Sequence, residues 1–256
     1  MATATFASLL PKILPSIPGA PQPLVVQHLR DAAIRACETS LLWRYTPPPF
    51  DLQPGSHENL FRKPQETAVH VIFGATCNDR PLTKATLEEA ICMYPEWADR
   101  FNGLTGDQLW SLTDPGTLNA EEFNELLYNG STDIVIPAEA YEGGSEPRYI
   151  TQLTPEKYIV LPLPGADEVY TLRMFYALKP SKTASGMDEV ILNELEDAII
   201  HGALQQLLVM PKVTWNDNVL ASYHARQFLF RLTERRARAN LNNNRSSLTA
   251  RGGSFS

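Results

Sequence analysis

The sequence predicts an α+β protein: a helical bundle, formed by an N-terminal helix and a C-terminal helix pair, with a small antiparallel β-sheet insertion and extended N- and C-terminal arms. Three observations predict it. Apolar residues recur at helical steps in 23–44, 188–210 and 219–239, whereas β-branched and aromatic residues alternate in 65–76 and 149–178. Twenty prolines exceed the roughly 5 % of ordinary usage and cluster at Pro11, Pro15, Pro18, Pro21 and Pro23, at Pro47 to Pro49, and at Pro162 and Pro164, which favours extended connections. The organisation that follows is an extended N-terminal arm (1–22), a helical body (23–46 and 181–239), a mixed β-rich insertion (47–180) and a flexible basic C-terminal arm (240–256).

Residues 1–21 mix small apolar side chains with near-regular prolines, a composition that disfavours helix and sheet alike. Pro23 then suits the first turn of a helix, and Val25, Leu29, Ala32, Ala36 and Leu41 line one face as far as Arg44, before Pro47-Pro48-Pro49 stops it. Gln65 to Thr76 reads as one strand, with Asn78-Asp79-Arg80-Pro81 as a turn. Short helices punctuated by Pro95, Gly103, Gly106 and Asp114-Pro115-Gly116 are predicted over 83–130, clearest at 120–128, followed by a loop at 143–147. Tyr149 to Leu153, Tyr158 to Leu163 and Val169 to Leu178 read as strands, the last two joined as a hairpin through Pro164 to Glu168.

After a linker at 181–186, Asp188 and Glu189 open the strongest helical signal, with Val190, Ile191, Leu195, Ala198, Ile199, Gly202, Gln206 and Leu207 on one face and Pro211 beyond its end. Asn216 or Asp217 is placed to cap a second helix whose apolar residues include Leu220, Tyr223, Phe228 and Leu232. The tail from Asn240 lacks the apolar area to fold alone.

Hydrophobic residues at 43 % and charged residues at 20 % exclude collagen-like, coiled-coil and wholly disordered chains. The net charge of −7 argues against a protein that coats nucleic acid with its whole surface, but it conceals a polarity. Residues 226–256 carry seven arginines and one acid, net +6, and the rest carries net −13. Cys37, Cys77 and Cys92 are odd in number and lack Cys-x-x-Cys spacing, which predicts idle thiols in a reducing compartment. No basic residue precedes Lys12 and Pro11 and Pro15 interrupt the first apolar stretch, so neither a secretory signal nor a membrane span is predicted.

The spacings that define common catalytic sites are missing: there is no Gly-x-Gly-x-x-Gly, phosphate-binding loop, His-Glu-x-x-His or Gly-x-Ser-x-Gly. His28, His57, His70, His201 and His224 are scattered, although His201 and His224 lie on the paired C-terminal helices and could meet there. Acidic groups at Glu88-Glu89, Glu121-Glu122 with Glu125, Asp188-Glu189, and Glu194-Glu196-Asp197 read as solvated or helix-opening carboxylates. No enzyme, metal or cofactor is therefore expected. The sharpest feature is the basic end, where Arg231, Arg235, Arg236 and Arg238 leave the last helix and Arg245 and Arg251 continue beyond it. Such an arm could neutralise phosphates, or it could fold on binding an acidic protein with Leu241, Leu248 and Phe255 as anchors.

Ser16-Ile17-Pro18-Gly19-Ala20-Pro21, then Leu29-Arg30-Asp31-Ala32-Ala33-Ile34-Arg35-Ala36-Cys37-Glu38 and Leu42-Trp43-Arg44-Tyr45, resemble the opening of tailed-bacteriophage head-to-tail adaptor (connector, head-completion) proteins. Trp215-Asn216-Asp217-Asn218, with Ala221, Tyr223, Phe228 and Arg235 to Ala239 before an Arg-, Asn- and Gly-containing tail, resembles the end of the same family. The resemblance covers about the first 60 and last 75 residues. It implies a virion structural protein at the neck, made in the host cytoplasm, that packs as a homo-oligomeric ring of about twelve copies. That ring would sit on the portal protein and connect it to a tail or nozzle protein, with genomic DNA passing through its channel. Arg235, Arg236, Arg238, Arg245, Leu248, Arg251 and Phe255 would reach the portal. The alternatives are a tail-side ring, such as a nozzle or tail-tube component, and a nucleic-acid-binding protein that uses the arginine arm.

Overall fold

A computed structural model of the protein describes residues 3–52, 59–93, 146–162, 164 and 169–240. The chain divides into two compact units: residues 1–45, 63–71 and 176–256, and residues 46–62 and 72–175.

The first unit is built on three helices, α2 (Gln22–Ser40), α4 (Glu189–Leu208) and α5 (Asn218–Asn240). Pro23 sits in the first turn of α2, where its missing N–H costs nothing. The helix stops at Ser40, short of the expected Arg44, because Leu41 turns left-handed (φ 53°) while its amide still bonds the Cys37 carbonyl at 3.0 Å. Val25, Leu29, Ala32, Ala33, Ala36 and Cys37 are buried along α2, and Leu195, Ala198, Ile199, Gly202 and Leu207 along α4. The small residues bring the backbones close: a Cβ added at Gly202 would lie 3.1 Å from the Ala32 Cβ and 2.8 Å from the Phe228 ring.

The N-terminal segment is not the extended arm that its prolines predict. Strand β1 (Thr3–Thr5) pairs antiparallel with β11 (Gly186–Asp188) in the register Thr3 to Asp188 and Thr5 to Gly186. A 3-10 turn (Phe6–Leu9), helix α1 (Leu10–Ile13) and a second 3-10 turn (Leu14–Ser16) follow. Pro11 and Pro15 occupy first-turn positions, so they start short helical pieces instead of breaking them. Phe6, Leu9, Ile13 and Ile17, spaced by three or four residues, are all buried and form a strap. The predicted linker at 181–186 is likewise pinned. The Ser185 amide and hydroxyl both donate to a Glu66 carboxylate oxygen at 2.9 Å, bonds that hold the Glu66 carboxyl below its usual range, and the Arg30 Nε donates to the Ala184 carbonyl at 2.6 Å. Strand β2 (Arg44–Tyr45) completes this unit by pairing with the second half of β10 (Thr171–Pro180), Tyr176 facing Tyr45.

In the second unit β3 (Phe50–Asp51) pairs with the first half of β10. The second half of β5 (Thr67–Cys77) turns back on β6 (Arg80–Pro81) through Asn78 and Asp79, both at positive φ (48° and 64°), a two-residue hairpin turn that these residue types tolerate. A separate four-stranded sheet has the order β4 (Asn59–Leu60), β9 (Lys157–Leu161), β8 (Tyr149–Gln152), β7 (Thr83–Lys84), with only the β7–β8 pair parallel. Helix α3 (Leu87–Met93) contributes Ala90 to a small core with Ile159 and Leu161.

The fold class therefore needs correction. It is α+β, but the described residues form three sheets: the β1–β11 pair, the five-stranded sheet holding β2, β3, β10, β5 and β6, and the four-stranded one. One small insertion in a helical bundle does not describe it. The predicted hairpin of 158–163 with 169–178 fails for a local reason. Pro162 and Pro164 cannot donate to a ladder, so the chain leaves β9 and enters β10 in a different sheet, where it pairs with the long β5 as well as with the two-residue β2 and β3. The helices expected at 94–130, the first part of the 143–147 loop and the arm beyond Asn240 lie outside the described residues.

Candidate functional site

Helix α5 is the element that presents the predicted interaction residues, and its start is fixed by two side chains. Asp217 Oδ1 accepts from the amides of Val219 (3.0 Å) and Leu220 (2.9 Å), the cap expected of Asn216 or Asp217. Asn216 instead closes the preceding helix, its amide nitrogen donating to the carbonyls of Leu208 (3.1 Å) and Met210 (2.8 Å). From this corner α5 runs along α4, burying Ala221, His224, Phe228 and Leu232. The Arg35 guanidinium of α2 lies 5.4 Å from the centre of the Phe228 ring.

The opposite side of α5 is apolar as well. Val219 is 83 % exposed, Tyr223 52 %, Leu229 62 % and Phe230 62 %. At 100° per residue Val219, Tyr223 and Phe230 fall on one stripe, facing away from Phe228 and Leu232, with Arg226 exposed between them. Of the four apolar residues that sequence reasoning names on this helix, Phe228 and Leu232 are buried and Leu220 and Tyr223 are exposed. The signal that identifies the outer stripe is the i, i+4, i+11 recurrence of Val219, Tyr223 and Phe230, a second apolar face on one helix.

The predicted portal-binding residues divide into three groups. Arg235 is paired with Glu194 of α4 within the chain, so it is an interhelical tie. Arg236 is exposed near the end of α5, and the backbone of Arg238 is helical. Arg245, Leu248, Arg251 and Phe255 lie outside the described residues. Arg231 stands 3.9 Å from Glu234 on the same helix.

Several of the acidic groups are absorbed into local structure. Thr86 and Glu89 form a reciprocal capping box at the start of α3 (2.8 and 3.1 Å), which holds the Glu89 carboxyl below its usual range. Asp188 caps α4 through the Val190 amide at 3.0 Å, and Glu196 pairs with Lys12. Glu121, Glu122 and Glu125 fall outside the described residues. Among the described residues no group of three or more His, Cys, Asp or Glu is placed to hold a metal ion, and no helix is long and apolar enough to cross a membrane. The three cysteines carry free thiols; burial raises Cys37 and pushes Cys77 up to about 11.

His201 and His224 do meet, Nδ1 to Nδ1 at 2.7 Å across α4 and α5, with the Tyr223 ring edge-on to both. A neutral pair makes this bond with one Nδ1 donating and the other accepting, whereas protonating both rings would set two N–H groups against each other. Burial lowers the pKa of His201, opposed by nearby Asp197 and assisted by Arg231; burial and then His201 lower that of His224. Because the folded values lie below the ordinary 6.5, the unfolded chain takes up protons first as pH falls through that range. The stability from keeping this pair neutral is complete above about pH 6.5 and is lost as pH drops toward the folded values. Burial lowers His70 in the same sense, so the informative comparison is with His224→Gln. The fall in urea midpoint between pH 7.5 and pH 5 is expected to be larger for wild type than for that variant, and equal falls would contradict the assignment.

No protein-family model matches the chain, and no curated protein matches it in sequence.

Proposed function

We propose that this chain is a non-catalytic structural subunit of a tailed-bacteriophage virion, a head-to-tail adaptor that assembles as a homo-oligomeric ring docked on the portal and joins it to the tail. The observation that carries the reading is α5, a helix buried on one side against α2 and α4 and apolar on the side it turns to solvent. Contiguous exposed apolar side chains on a folded protein mark an interaction surface. The same helix ends in Arg235, Arg236 and Arg238 and leads directly into residues 241–256, with Arg245 and Arg251. An assembly surface that continues into a basic arm suits a part held by its copies on one side and by a second protein on the other. The resemblance of both chain ends, in order, to the adaptor family supports this address.

The deciding experiment is light scattering on the full chain, alone and mixed with isolated portal. A closed multi-subunit species that co-migrates with portal is expected, and a monomer in both samples would refute the reading. Residues 241–256 offer few large apolar side chains against the roughly 1 to 2 kcal/mol of backbone entropy that ordering costs per residue, which favours a role in binding over one in folding. Deleting 241–256 is accordingly expected to leave the melting temperature unchanged while weakening portal attachment by ten-fold or more. Undiminished docking of the truncated protein would remove the arm from the interface. Loss of salt-sensitive DNA binding with docking retained would make it a nucleic-acid arm.

A further inference from the structure

The geometry points to the surface that covers the outer stripe of α5: the exposed edge of α4 in a second copy of this chain, in a head-to-tail contact. The inference rests on the assembly reading above and names its interface. On α4 an exposed edge carries Glu189, Val190, Asn193 and Asp197, at positions i, i+1, i+4 and i+8, while Glu194 beside them is tied to Arg235 of α5. Val190, near the start of this acidic edge, is 68 % exposed. The stripe on α5 is its complement, apolar at Val219, Tyr223 and Phe230 and basic at Arg226, with Arg236 further along. The two strips run for about 12 and 16 Å at 1.5 Å per residue, so one can lie along the other.

Charge decides between the ways in which copies can pair. A two-fold contact of α5 on α5, centred on the stripe, would bring Arg226 toward its own image, and like charges brought together at an interface are repelled. Placing α5 on the α4 edge sets Arg226 against Asp197 or Glu189 and a ring of Tyr223 or Phe230 against Val190. The contact is then heterologous, each copy offering one face of each kind, which is the geometry that closes into rings.

Two single variants test it. Phe230→Asp spoils the α5 stripe and keeps the α4 edge; Asp197→Arg does the reverse. Each alone is expected to be monomeric by light scattering, with wild-type circular dichroism and melting, and the two mixed are expected to form a one-to-one dimer that grows no further. Should Asp197→Arg fail to fold, Val190→Asp replaces it with the same expected outcome. If the α4-edge variant assembles like wild type, or the mixture stays monomeric, the pairing is overturned while the ring reading survives. A wild-type chain that is itself monomeric overturns both.

Discussion

Replacing Phe228 by alanine is expected to lower the unfolding free energy by about 3 to 5 kcal/mol, with a matching shift in the urea midpoint. The ring is the knob at which three helices converge: it is 6 % exposed, a Cβ added at Gly202 would lie 2.8 Å from its Cε2 and 3.0 Å from its Cδ2, and the Arg35 guanidinium of α2 lies over the ring. Truncation removes the buried ring and leaves a cavity that α2 and α4 can fill only by moving. The same junction makes the reverse change costly. Gly202→Ala gains about 1 kcal/mol of helix propensity but thrusts a methyl into the ring, a strain of about 1 to 3 kcal/mol. If the strain is that contact, it disappears in a Phe228→Leu background, where the smaller side chain makes room. Wild-type melting of Phe228→Ala would dismantle the three-helix core as described. A Gly202→Ala cost unaffected by Phe228→Leu would locate the strain elsewhere.

The helices were legible because each carries its own period and its own punctuation. The Asp217 cap and the stop before Pro211 act within a few residues of where they stand, whereas the left-handed Leu41 that ends α2 at Ser40, short of Arg44, carries no such residue type. Even the meeting of His201 with His224 follows from placing both on an antiparallel pair. What the sequence hid depends on distant partners or on a choice between two readings of one residue. β10 needs β5, distant in the sequence, and β2 and β3, strands of two residues with no signature of their own, and so Tyr158 to Leu178 reads as a hairpin when it is two strands of separate sheets. Arg235 looks like part of a basic stripe until Glu194, 41 residues upstream, is brought beside it. Pro11 and Pro15 read as breakers, although a proline in a first helical turn is neutral, and the three- and four-residue steps of Phe6, Leu9, Ile13 and Ile17 were the stronger signal. The outer stripe of α5 was overlooked because two apolar faces on one helix blur the period by which either is recognised.

Gly186→Ala is expected to release the N-terminal strap and to destabilise the protein by about 2 to 4 kcal/mol, a net figure for burial of four large side chains at about 1.5 to 3 kcal/mol each less the chain entropy recovered on release. A Cβ at this position would lie 2.2 Å from the Ala4 carbonyl oxygen, 2.9 Å from its carbon and 3.0 Å from the Thr5 Cα. All three are backbone atoms of the facing strand, so no rotamer relieves the clash and β1 must leave β11. With it goes the bond from the Phe6 amide to the Ser185 carbonyl (3.1 Å), and then the anchorage of Phe6, Leu9, Ile13 and Ile17. Asp188, the last residue of β11, also caps α4, so the loosened strand reaches the helical core through one residue. Gly74→Ala is the control, since a Cβ there meets nothing within 4 Å. Fast hydrogen exchange at Phe6 and early tryptic cleavage at Lys12 are expected for Gly186→Ala alone. A strap that stays protected in that variant, together with an unfolding curve matching that of Gly74→Ala, would show that β1 is not what holds it.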